Sequence, residues 1–147
     1  MKKKIALIST ILALALVCSV LLAACGPASD PATAKDNLKK EGYSATVYDS
    51  DNAFVKVGLS LFGLEKVAQV LVASKYTDDS FEFLSVLYFD SAKDANEMVE
   101  KAKEYAKDQE KDQEKDQKKK EGEVEWTFGK SGKMIWFGTK AAVKAAR

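Results

Sequence analysis

FEFLSVLYFDSAKDANEMVEKAKEYA, residues 81–106, is the stretch that decides the fold. Phe81 to Phe89 is almost continuously apolar, with Glu82 near its open end. Such a run predicts a central strand whose two faces are both covered. Ser91 and Asp94 follow at capping-box spacing. Ala95, Met98, Val99, Ala102, Tyr105 and Ala106 then recur at i, i+3, i+4 and i+7. That period predicts a helix with one face for a core.

Upstream, Lys66 to Tyr76 is rich in Val and Leu and reads as a strand. Thr77-Asp78-Asp79-Ser80 joins it to residue 81 as a turn. Ala53 to Leu64 has Phe54, Val57 and Leu61 at helical spacing, interrupted by Gly58 and Gly63, and reads as a short, imperfect helix. Asp49-Ser50-Asp51-Asn52 precedes it as a turn or cap. Ala53 and Phe54 lack the oxygen ligand and glycine that a calcium loop needs. Tyr43 to Tyr48 alternates and predicts a strand. Asp30-Pro31 starts a helix that Gly42 ends, bringing Leu38 to Tyr43. Pro27 to Thr33 is small and polar, and residues 25–34 read as a tether.

Downstream, Lys107-Asp108-Gln109-Glu110 recurs as Lys111-Asp112-Gln113-Glu114 and Lys115-Asp116-Gln117-Lys118. No apolar residue appears between Ala106 and Val124, so residues 107–123 add nothing to a core. They extend the helix as a solvated rod or form a loop. Val124, Trp126 and Phe128 alternate with polar residues as a half-buried strand, Gly129 to Gly132 turns, and Lys133 to Gly138 returns. Thr139 caps a last helix, Lys140 to Arg147.

These elements predict an α+β domain over 35–147: a small antiparallel sheet with helices on one face. From Tyr43 the order matches a ferredoxin-like βαββαβ core, plus a C-terminal hairpin strand and short helix. The other sheet face is open unless the tether, a partner or the added elements cover it.

The first 25 residues carry a different message. Lys2-Lys3-Lys4 precedes an apolar run, Ile5 to Leu22, and then Ala23-Ala24-Cys25. Leu22-Ala23-Ala24-Cys25 resembles the lipobox of bacterial lipoproteins. The resemblance implies a signal peptide over 1–24, cleavage between Ala24 and Cys25, and a diacylglyceryl group on the Cys25 sulfur. It implies a chain anchored by lipid to the cell membrane and facing out of the cytoplasm. Gly26 follows, so the aspartate associated with inner-membrane retention is missing.

Composition narrows the chemistry. Removing 24 residues of 147 leaves 123, enough for one domain. The signal takes three lysines from 23 basic residues and none of the 22 acidic ones, leaving a formal −2. That balance and the location argue against nucleic acid. Cys18 leaves with the signal and Cys25 carries lipid, so no thiol nucleophile or disulfide remains. The chain has no histidine, which excludes a Ser-His-Asp triad, a Cys-His dyad and the usual zinc sets. No catalytic residue, metal ligand or cofactor is assigned.

The surplus is aromatic, with eight such residues between Phe81 and Phe137 on expected strands. Most are expected in the core. Trp136 opposes Ile135 and Phe137 in its strand and, if exposed, is the candidate binding surface. The expected function is a non-enzymatic binding or scaffold lipoprotein with an envelope protein or glycan as partner. The alternative is a carboxylate-dependent glycan hydrolase; its paired acids, such as Asp78-Asp79, sit in expected turns.

Overall fold

The computed structural model describes residues 26–117 and 125–147. Residues 1–25, which carry the expected signal and Cys25, and residues 118–124 lie outside the described residues, as do the expectations that rest on them.

In chain order the elements are α1 (Pro31–Lys40), β1 (Ser44–Asp49), α2 (Ala53–Leu61), β2 (Val67–Tyr76), β3 (Phe81–Phe89), α3 (Ala92–Gln117), β4 (Trp126–Ser131), β5 (Met134–Thr139) and α4 (Lys140–Ala145). The class is α+β with one five-stranded antiparallel sheet, in the order β1-β2-β3-β5-β4.

Local chemistry places the helix ends. Asp30 accepts from the Thr33 amide at 2.9 Å and from its hydroxyl at 2.7 Å, and Pro31 occupies the first turn of α1. Gly42 leaves that helix at φ +85°, and the Tyr43 amide returns to the Leu38 carbonyl at 3.0 Å. Leu38 and Tyr43 are buried in one cluster. Before α3, Ser91 Oγ accepts from the Asp94 amide at 3.1 Å and donates to Asp94 Oδ2 at 2.9 Å. The helix continues through the charged repeat as far as Gln117, with Ala106 its last buried residue among those described.

The strand order overturns the ferredoxin-like arrangement. That arrangement separates β1 from a parallel β2. Here Asp49 pairs with Gln69, and the Ser50 amide donates to the Ala68 carbonyl at 3.0 Å. The chain therefore turns back where β1 ends, and α2 is an excursion within an antiparallel connection. Alternation along a strand reports which side chains are buried, not which way the neighbouring strand runs. A split β-α-β unit does exist later: β4 runs parallel to β3 with β5 between them.

Helices cover both sheet faces, not one. Leu59 of α2 and Ala95, Met98 and Ala102 of α3 pack on Val70, Leu87, Phe89 and Ile135. Ala34 and Leu38 of α1 and Ala142 and Val143 of α4 pack on Leu71, Leu84, Val86 and Trp136. The cause is β3 itself, whose two alternating sets of side chains are both apolar and nearly all buried. Residues 26–30 belong to the second face. Gly26 and Pro27 are buried, the Ala28 amide donates to the Ala146 carbonyl at 2.8 Å, and the Tyr88 hydroxyl donates to the Ala28 carbonyl at 3.2 Å.

The start of α3 responds to acid. The Ser91 hydrogen bond, then Lys66, hold the Asp94 carboxyl below its ordinary value, and Lys66 does the same for Glu97. Carboxyl groups lowered by folding contribute stability above their unfolded pKa, which is lost as pH falls through the folded value. Thermal unfolding followed from pH 7 to pH 2 should show a melting temperature that is level to roughly pH 4 and then falls. In Ser91→Ala/Lys66→Ala that acid-dependent drop should shrink; an unchanged drop would remove these contacts as its source.

Candidate functional site

The C-terminal helix α4 lies between two clefts. The first, of about 510 Å³, is lined by Lys130 of β4, Trp136 of β5, Lys140, Val143 and Lys144 of α4, and Arg147 just beyond it, with Thr127 to Gly129 completing its wall. Four basic residues line it and no Asp or Glu does. Lys140 and Lys144 are one helical turn apart and share a face. The Lys140 ammonium also meets the Glu125 carboxylate at 3.1 Å, with both side chains well exposed. A pair so exposed adds little stability, but its carboxylate offsets part of the Lys140 charge; Lys130 and Lys144 keep the cleft basic.

The second cleft, of about 540 Å³, shares Lys144 and Arg147 and adds Lys40, Lys75, Glu41, Tyr43 and Glu82. Tyr43 donates its hydroxyl to Glu82 Oε2. Lys75 Nζ sits 5.3 Å from the centre of the Tyr43 ring and donates to the Glu41 carbonyl at 2.9 Å. Burial, then the Glu82 hydrogen bond, push the Tyr43 phenol far above its ordinary range. A phenol so placed keeps its proton at neutral pH and offers no general base. The first cleft presents basic side chains that attract an anion, whereas the second mixes basic side chains with Glu41 and Glu82.

A third surface is apolar. Phe54 is 91%, Val57 64% and Leu61 78% exposed, at i, i+3 and i+7 along α2. Their helical spacing was legible, and their direction was not: α2 turns Val55 and Leu59 to the sheet and these three outward. A β-carbon at Gly58, on the same helix, would meet nothing within 4 Å.

Trp136 is only 7% exposed, so it is a core residue rather than the contact surface that exposure would have made it. Its ring is held between two backbones. A β-carbon at Gly26 would lie 2.5 Å from it, and one at Gly129 2.3 Å. Asp78 and Asp79 lie in the exposed β2–β3 turn, away from both clefts. Cys25 and Ala24 lie outside the described residues. Among the described residues no cluster of three metal-ligating side chains occurs, and no helix is long and apolar enough to cross a membrane. The cationic cleft escaped sequence reasoning because Lys130 reaches it through a hairpin register. The signal for its other half was the Lys140, Lys144, Arg147 spacing.

Trp136→Ala should lower unfolding free energy by about 3–5 kcal/mol, measured by urea denaturation. A loss below about 0.5 kcal/mol would show that the indole is not packed as described.

The chain matches no protein-family model, no curated protein and no solved structure.

Proposed function

We propose that this protein is a lipid-anchored lipoprotein of the cell envelope, a non-enzymatic module that holds another envelope protein. The anchoring half rests on Leu22-Ala23-Ala24-Cys25 behind a basic and apolar leader. The observation that carries the binding half is the outward stripe of α2. Three large apolar side chains at i, i+3 and i+7 stay exposed, while Val55 and Leu59 of the same helix pack toward the sheet. That spacing is how a helix lies in an apolar groove of a partner. Burying such a patch is favoured by the same transfer of apolar surface that drives folding. The partner class is therefore a protein with an apolar groove.

Glycan hydrolysis ranks second. Its support is that Glu41 and Glu82 line one cleft. Glu82 is already engaged by the Tyr43 hydroxyl, and four cations share the space. That is a poor setting for the free acid and base pair that glycoside cleavage uses.

Cys25→Ala should leave an unprocessed, unacylated precursor, read as a heavier band and the loss of lipid labelling. Normal processing of that variant would overturn the lipoprotein reading. In cells, a photoreactive residue at Val57 should give one discrete crosslinked species, and Phe54→Asp should remove it without moving the melting temperature. Equal crosslinking from position 93, or persistence in the Phe54→Asp background, would overturn the α2 surface.

A further inference from the structure

We propose that the cationic cleft beside α4 docks on the anionic headgroups of the membrane that holds Cys25. The inference rests on Cys25 being acylated, and adds where the folded domain sits once it is.

The first argument is the position of the anchor. Gly26, the residue after Cys25, is seated against the Trp136 ring, closer than any β-carbon would allow. Two residues on, the Ala28 amide and carbonyl are both hydrogen-bonded to the domain, through the Ala146 carbonyl and the Tyr88 hydroxyl. An acyl chain on Cys25 would thus begin one residue, about 3.8 Å of backbone, from the packed fold. A long flexible linker would let the domain take any orientation; this attachment has almost no slack.

The second argument is what lies at that point. Trp136, on which Gly26 rests, also lines the cationic cleft. Lys130, Lys140 and Lys144 surround it, no Asp or Glu is among its lining residues, and Glu125 offsets part of the Lys140 charge from outside the lining. A cleft of about 510 Å³ has the dimension of one Debye length, roughly 8–10 Å. Its cations therefore act together on a surface that touches it. Lipid plus a basic patch is a two-signal mode of membrane attachment. The domain's formal charge of −2 concentrates the complementarity here, because net attraction cannot supply it.

The third argument is exclusion. Phe54, Val57 and Leu61 belong to the helix on the opposite sheet face from Gly26, α1 and α4. With the anchor short, one face meets the bilayer, and the stripe on α2 is left to a protein partner.

The test is lysine footprinting of the intact mature lipoprotein. Acetylation rates are read by mass spectrometry in vesicles of phosphatidylcholine with phosphatidylglycerol, in vesicles of phosphatidylcholine alone, and in detergent. Lys130, Lys140 and Lys144 should react at least about threefold more slowly in the anionic vesicles, while Lys56 and Lys93 keep their detergent rates. Full reactivity of the three lysines in anionic vesicles, with acyl mass present on the Cys25 peptide, would overturn the docking and leave the anchor intact. Equal protection of Lys56 would overturn it as well. Protection by inorganic phosphate in detergent, without protection by vesicles, would assign the cleft to a free anion instead. A Cys25 peptide without acyl mass would overturn the anchor and the docking together.

Discussion

Every layer of the molecule answers to the two apolar faces of β3. Side chains alternate along a strand. In β3, Leu84, Val86 and Tyr88 point one way, while Phe81, Phe83, Leu87 and Phe89 point the other, and all seven are buried. Fully burying a residue of this size is worth about 1.5–3 kcal/mol, so leaving either face wet would forfeit much of the stability of a small domain. α2 and α3 cover one side. The other is closed by α1, α4 and the chain around Ala28, elements from the two ends of the described sequence. Residues that composition alone would assign to linkers are thereby drawn into the fold.

The same requirement places Trp136. β5 pairs with β3 residue by residue, Trp136 facing Val86 across the ladder, so the indole falls on the face that α1 and α4 cover. A ring that large fits there because its neighbours lack side chains. Gly129 stands opposite in β4, and Gly26 closes over the top. Either β-carbon would approach closer than 3 Å, where repulsion outweighs any added contact. A packing constraint thus fixes the path of the backbone at Gly26, the residue next to Cys25.

Legibility followed the range of the forces involved. Helix caps, the turn at Thr77–Ser80 and the strands β3 and β5 are set within a few residues, and they were read from the sequence with nearly their observed bounds. The turn expected over Gly129–Gly132 is shorter, because β4 stays paired with β5 as far as Ser131. The direction of β2 beside β1 was not, because antiparallel and split-parallel neighbours leave the same apolar alternation in both strands. Coverage of the second face was not either. Ala34, Leu38, Ala142 and Val143 are too few and too small in each helix to announce a buried face until both helices are set on one sheet. The candidate sites divide the same way. Cys25 is flagged by contiguous residues. The outward stripe of α2 was visible as a period but not as a direction, since Phe54, Val57 and Leu61 fit a core face as well as an exposed one. Lys130 meets Lys140 and Lys144 only through the β4–β5 register.

The two sheet faces end up with opposite surface chemistry, and that asymmetry has a physical origin. Short, alanine-rich α4 buries small side chains and so lies close to the sheet, which leaves its long lysines at the rim of a cleft instead of over a broad core. On the opposite side α2 is nine residues long and apolar almost all round. A helix of that composition cannot bury its whole circumference against one sheet, and nothing else in the described chain reaches its outer side. Basic clefts complement anionic surfaces, and apolar helix faces complement apolar grooves, so the two faces suit different kinds of surface. Under the proposed lipid anchor beside the basic face, the apolar helix would be directed away from the bilayer and open to the proposed protein partner.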